Sequence, residues 1–361
     1  MSIPHVDVKA QYAPLIPQLQ EAFARTLESG KFIFGPEVEA FEREAAELLG
    51  TQETVSCANG TDALVLVLDA LRIGAGDEVI CPAFTFFATA EAIARIGATP
   101  VFAEVDPTTM NLDPDDVATR ITARTKAIMP VHLFGRPAPL DRLAALGLPL
   151  IEDAAQAFGS PDIAGHGIAS TFSFYPTKNL FGLGDGGLIA VRDAELADRL
   201  RLLRFHGSRA KKTFEFVGYN SRLDEVQAAA LRIFLRRLDE WTRLRREAAE
   251  RYRELGLGEL VDVPEDEPGH VYHLVVCRSP ERDRIRAALA EQGIATGEYY
   301  LPPLHLQPAL SYLGYGEGDL PVTEQLAREN FSVPLWAGID AATQERVVEA
   351  VRAVRPVPVS K

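Results

Sequence analysis

The stretch TVSCANGTDALVLVLDALRIGAGDEVICP, Thr54 to Pro82, decides the fold. Four β-rich residues, TVSC, give way to the helix pattern TDALVLVLDALRI, which Gly74 and Gly76 stop before a second β-rich run, DEVICP. Strand, helix and strand of these lengths make a crossover unit, the connection that parallel strands require.

Outward from this unit the rhythm continues to Val191. TPVFAEV, KAIMPVHLF, LPLIED, TFSF and GLIAV are further short apolar runs, and ATAEAIARIG is a second crossover helix stopped by Gly97. The expectation is an α/β domain around a mainly parallel sheet. Upstream, IPQLQEAFARTLESG and GPEVEAFEREAAELLG carry apolar residues at three-to-four spacing and end in Gly30 and Gly50, which predicts two amphipathic helices. Downstream, residues 222–255 are rich in helix formers and contain no Gly or Pro, so one long helix is expected to leave the first domain near Trp241. The expected division is a large α/β domain over residues 1–240 and a smaller α+β domain over 241–361, the latter built from YHLVVC, ERDRIRAALAEQG and the Pro-rich YYLPPLHLQPAL.

Composition narrows the function. Of 361 residues 47% are hydrophobic, enough for a sizeable core, and a net charge of −14 opposes a nucleic-acid surface while leaving room for a local phosphate pocket. The start MSIPHVDVKAQY has no basic stretch leading into an apolar one, and no later window is long and apolar enough to span a membrane, so a cytoplasmic protein is expected. Cys57, Cys81 and Cys277 are far apart and lack metal-ligand spacing, which predicts buried thiols without a disulfide or a metal.

Three short motifs carry candidate chemistry. Ala58-Asn59-Gly60-Thr61-Asp62 follows a strand and opens a helix, so it aims free backbone N–H groups and the positive helix end at a phosphate, although taken alone such a turn is more often a structural one capped by Asn59 or Thr61. LPLIEDAAQ, residues 148–156, ends a buried strand in Glu152-Asp153 and then Gln156. A carboxylate there lies where ligands of open α/β sheets bind and suits a protonated pyridine nitrogen; the plainer reading is a cap on the next turn. Ser173-Phe174-Tyr175-Pro176-Thr177-Lys178-Asn179 puts a lysine in a constrained loop ahead of the Gly-dense GLGDGG.

Together with FIFGPEVEAFE, PAFTFFATA, GATPVFAEVDP, GYNSRLDEVQAAAL and PPLHLQPAL, these blocks resemble, across essentially the whole chain, the DegT/DnrJ/EryC1/StrS sugar aminotransferases, a branch of the fold-type-I pyridoxal-phosphate (PLP) enzymes with an aspartate-aminotransferase-like fold. The resemblance implies that Lys178 attaches the cofactor and acts as general base, its pKa below the usual lysine value of about 10.4. It implies that Asp153 pairs with the pyridine nitrogen, that Gln156 lies near the ring hydroxyl, and that Gly60, Thr61 and Ser173 hold the phosphate. Phe86 lies against the ring, and Asn220 comes from a second subunit, so a homodimer with active sites at its interface is expected. Glutamate is the implied amino donor and a nucleotide-linked keto sugar the acceptor, with Arg222, Tyr300 and His305 as candidate sugar contacts. GKFIFGPE, SCANGTDAL and NSRLD are most similar to enzymes that aminate C3 of UDP-linked N-acetylated uronic sugars, which adds Gly30 and Phe32. The connection from Gln156 to Ser173 is shorter than is usual in the family.

Two alternatives stand beside this reading. A PLP sugar dehydratase of the same fold carries histidine at the lysine position, which Lys178 opposes. A regulator that binds PLP or sugar without turnover shares the fold but has no use for the full set Asp153, Gln156, Ser173 and Lys178. A dinucleotide-dependent oxidoreductase is discarded, since no GxGxxG follows the first strand.

Overall fold

The structure, a computed structural model, describes residues 2–161 and 163–354. All seven apolar runs between Thr54 and Val191 form strands: β1 Glu53–Cys57, β2 Glu78–Pro82, β3 Thr99–Ala103, β4 Thr125–Ile128, β5 Ile151–Asp153, β6 Ala169–Ser173 and β7 Gly187–Val191. Their order is β3-β2-β4 in one group and β5-β6-β7-β1 in the other, and the parallel bridges Ile128 to Leu150 and Val131 to Asp153 join β4 to β5. The pairs β2/β3, β2/β4 and β5/β6 are parallel, whereas β7 runs antiparallel to both β6 and β1. Burial of nearly every strand residue explains why these runs read as continuous apolar stretches rather than alternating ones.

The helix Gly60–Ala70 packs one side of this sheet, with Leu64, Val65, Leu66, Val67 and Leu68 all buried. The two amphipathic helices are Ile16–Ser29 and Pro36–Leu49, and their terminal Gly30 and Gly50 take the left-handed conformation (φ 64° and 62°) that closes a helix with little steric cost.

The helix from Arg222 to Leu255 departs from expectation. It is two helices, Glu225–Leu235 and Leu238–Glu254. The break has no Gly or Pro signal because packing causes it: Phe234 and Trp241, on either side, close on Phe181 with ring centroids 4.7 and 5.4 Å away. The second helix then crosses between two cores. Trp241 packs with Phe181 and Phe234, while Ala248, Ala249 and Tyr252 pack with Cys277, Phe331 and Val347.

That second core surrounds a two-stranded antiparallel sheet, β8 Val275–Arg278 and β9 Asn330–Val333, flanked by the helices Arg282–Glu291 and Ala341–Val354. The chain start joins it too, since Ile3 is buried there and bridges Ile294. Cys57, Cys81 and Cys277 are all buried free thiols. Among the described residues no helix is long and apolar enough to cross a membrane.

A remote carboxylate fixes the Gly30–Gly35 segment. Glu225, 1% exposed, accepts from the amides of Gly35 (2.7 Å), Glu37 (2.9 Å) and Val38 (3.0 Å), so it caps the Pro36–Leu49 helix, which has no side-chain cap of its own. Glu225→Ala strands these amides and should lower unfolding stability by about 2–4 kcal/mol in urea titrations. An unchanged urea midpoint would remove Glu225 as the cap.

Candidate functional site

The turns at the carboxyl ends of β1, β2, β5 and β6 carry the candidate cofactor residues. After β1 comes Asn59, whose Oδ1 accepts from Asp62 N (2.8 Å) and whose carbonyl accepts from Ala63 N (3.1 Å). These bonds use two first-turn amides and leave those of Gly60 and Thr61 for a ligand. Ser173, at the end of β6, lies directly against Gly60: a Cβ added at Gly60 would fall 2.7 Å from Ser173 Cβ. At this position glycine is a requirement of space, and it brings the helix start and the serine hydroxyl together. Ser221 ties the 220–225 segment to the same turn, donating to Asp62 Oδ2 (2.7 Å) and accepting from Ala58 N (3.1 Å).

Asp153 ends β5 and is 5% exposed. Its Oδ2 accepts from Thr89 Oγ1 (2.9 Å) and its Oδ1 from Ala155 N (3.2 Å). Burial pushes its carboxyl up, opposed by those two hydrogen bonds and by the charge of Lys178. Glu152, pointing the other way, is fully buried. It accepts from Gly167 N (2.7 Å) and Ala164 N (3.1 Å), which holds the short Gln156–Ser173 connection, and it contacts His132 Nε2 at 3.0 Å. Because His132 Nδ1 accepts from Ala138 N (3.0 Å), Nε2 carries the proton and donates to Glu152. Asp162, within that connection, lies outside the described residues.

Gln156 is oriented by the same logic. Its Oε1 accepts from Phe134 N (2.8 Å), so Nε2 is the group that faces Tyr300 Oη at 3.2 Å. Phe134 holds a left-handed backbone (φ 56°), a strained state for a bulky residue that this hydrogen bond helps to secure. Tyr300 stacks on Phe134 (6.3 Å, 8° between planes) and meets Phe84 edge-on at 5.9 Å. Burial raises its hydroxyl, so the phenol stays protonated.

Lys178 sits in a pinned loop. Phe174 N donates to Gly186 O (2.8 Å), Gly182 N to Phe174 O (2.6 Å), Lys178 N to Tyr175 O (2.9 Å), and Asn179 Nδ2 to Val271 O (2.8 Å). The lysine keeps part of its surface accessible, yet the surrounding protein lowers its amine from the ordinary lysine range to about 8, with the charge of Asp153 pulling upward. A partly neutral amine beside a sheltered carboxylate is a proton-handling pair.

The remaining candidates divide by exposure. Phe86 leaves 59% of its surface exposed, with its ring 6.5 Å from that of Tyr300. Phe32 is 48% exposed, and its carbonyl accepts from Glu225 N (3.0 Å), so the Gly30–Phe34 and Arg222–Glu225 stretches run together. Arg222 lies over the Phe205 ring at 5.7 Å, Asn220 is exposed, and Gly30 is the exposed cap of its helix. His305 is the one predicted contact that the fold does not bring to the surface: it is 1% exposed, with Nε2 3.1 Å from Glu324 Oε1. Sequence reasoning missed Thr89, His132 and Glu225. Thr89 had a faint signal, standing four residues after Thr85 in the TFFAT block that carries Phe86.

Comparison with known proteins places this geometry. A model of the DegT/DnrJ/EryC1/StrS aminotransferase family matches residues 15–352. A pleiotropic regulatory protein of Geobacillus stearothermophilus is 45% identical over 97% of this chain and 98% of its own. A UDP-N-acetyl-3-dehydro-α-D-glucosamine 3-aminotransferase of Acidithiobacillus ferrooxidans is 42% identical over 97% of each chain. Among solved structures, S. venezuelae DesV in complex with a ketimine intermediate is similar with a TM-score of 0.95 and 43% identity, covering 99% of both chains.

Proposed function

This chain belongs to the DegT/DnrJ/EryC1/StrS aminotransferase family and is a PLP-dependent aminotransferase of fold type I, and from that premise we propose that it carries an amino group from glutamate to C3 of a nucleotide-diphospho-keto-sugar. The convergence of Lys178, Asp153, Gln156 and the Gly60/Ser173 cradle at one sheet edge carries this reading. Support for C3 comes from the similarity to a named 3-aminotransferase of a UDP-linked sugar. Glutamate is the donor that the family resemblance implies.

The site's residues fit the cofactor. The amides of Gly60 and Thr61 with the Ser173 hydroxyl would hold its phosphate, Asp153 would meet the ring nitrogen and Gln156 Nε2 the ring hydroxyl, and Phe86 would offer a ring face. When bound, PLP supplies an aldehyde that takes up the amino group and a ring that delocalises negative charge from the reacting carbon. Lys178, neutral for part of the time near pH 8, is the covalent anchor and moves the proton on and off that carbon. Tyr300, Phe84 and Phe134 form an aromatic cluster beside Gln156. Gly30, Phe32, Arg222 and Tyr300 are the residues we assign to the sugar, with Arg222 as the fork for acidic groups, and the buried His305, paired with Glu324, drops out of the set.

Asn220 completes the phosphate site of a partner subunit. Its exposure in the single chain, on a segment where Phe214 is 57% and Val217 92% exposed, supports a homodimer with shared sites. A purely regulatory role, suggested by the name of the Geobacillus relative, leaves the lowered Lys178 amine without a task.

The test is spectroscopic. Protein with PLP should show a visible band that glutamate removes and that one of a panel of UDP- and dTDP-linked 3-keto and 4-keto sugars restores. Restoration by 4-keto sugars alone would refute C3, and a band insensitive to glutamate would refute the donor.

A further inference from the structure

Among the described residues two hydrogen bonds reach the Asp153 carboxylate, and one of them comes from a side chain, the Thr89 hydroxyl. Thr89 is fully buried, and its Oγ1 lies 3.3 Å from that of Thr85, which is 1% exposed. Because Thr89 gives its single hydrogen to Asp153, Thr85 is the donor in the second contact. Two hydroxyl dipoles therefore align toward one carboxylate oxygen, an arrangement in which each bond strengthens the next. Between the threonines in sequence stands Phe86, 59% exposed, so the block TFFAT turns its hydroxyls inward and an aromatic ring outward.

We propose that Thr89, backed by Thr85, is a positioning residue that aims the Asp153 carboxylate at the ring nitrogen of the cofactor and holds it there as an anion. This rests on the reading of Asp153 given above. A buried carboxylate needs donors to stay ionised and in one rotamer. Ala155 N–H serves Oδ1, Thr89 serves Oδ2, and the ring nitrogen is the remaining donor that the anion would meet. Lys178, His132, Cys81 and Tyr300 also face Asp153; Lys178 acts on it through charge, whereas burial and the Asp153 charge keep the Cys81 thiol and the Tyr300 phenol neutral. Without the Thr89 hydroxyl, Oδ2 loses its side-chain donor in a buried site, and the carboxylate turns away or takes up a proton. Either change weakens its hold on a ring N–H and leaves the phosphate cradle untouched.

The experiment measures binding of PLP and of 1-deaza-PLP, in which carbon replaces the ring nitrogen, to wild type, Thr89→Val, Thr89→Ser and Asp153→Asn by fluorescence titration. Thr89→Val should bind PLP about tenfold or more weakly, the scale of a hydrogen bond to a charged group, with its affinity for the deaza compound unchanged. Thr89→Ser, which keeps the hydroxyl, should match wild type for both. Equal losses for the two ligands, or no loss for either, would overturn the proposal, and Thr89→Ala gives the same comparison if the valine variant does not fold. Asp153→Asn separates the two claims. If it keeps the wild-type preference for PLP over the deaza compound, the reading of Asp153 itself fails; if it loses that preference while Thr89→Val keeps it, only Thr89 is wrongly assigned.

Discussion

Lys178→Ala abolishes amino transfer and leaves a folded protein that still retains PLP through its phosphate and ring contacts. Alanine removes both the covalent anchor and the proton carrier, so turnover should fall by at least about 10⁴, the upper end of a single general acid–base contribution. Stability should not fall with it. Burial lowers the amine to about 8 in the folded chain against an ordinary 10.5, so between those values the unfolded chain holds more protons and stability rises with pH. Below pH 8 the folded protein carries a charge that its surroundings disfavour, and alanine removes that charge. At pH 7 the variant without cofactor should therefore melt no lower than wild type. Turnover near the wild-type rate in stopped-flow assays would dismiss Lys178 from both roles. The same variant tests the shared site: mixed with Asn220→Ala chains, it should regain activity in heterodimers, where one site combines the intact Lys178 with the intact Asn220.

Asp153→Asn slows proton abstraction by about 10²–10³ while preserving the fold, the scale set by removing one preorganised electrostatic partner from a reacting centre. Asparagine has the same shape and still accepts from Thr89 or Ala155, but it cannot balance a protonated ring nitrogen. The sign of the stability change again separates function from folding. Burial raises the Asp153 carboxyl above its ordinary 3.8, so the ionised group costs stability above that pH, and the neutral amide should raise the melting temperature of the protein without cofactor. A variant that is both slower and more stable is the expected signature of a strained functional charge. A fast variant would show that the carboxylate has no part in the chemistry.

Much of this site was legible because it lies in short, contiguous blocks. Ser173 and Asp153 end strands, and Gly60 and Lys178 follow in the next turn or loop, so contiguous motifs after recognisable apolar runs carry them all to the edge that strand ends of a parallel sheet share. The long-range hydrogen bonds were not legible. Glu225 caps a helix that begins nearly two hundred residues before it, Thr89 reaches Asp153 across 64 positions, and His305 meets Glu324 inside the protein rather than a ligand at its surface.

By itself the sequence determined the seven strands, the left-handed glycine caps, the buried cysteines and the identity of the family, since all of these follow from local periodicity, backbone conformational preference or contiguous motifs. Only the tertiary structure decided where the helix after Arg222 breaks, how Gln156 turns its amide, that Thr89 supports Asp153, and that burial lowers the Lys178 amine. These properties depend on which groups share a buried volume, and desolvation, hydrogen-bond polarity and ring packing exist only once distant segments have closed around it.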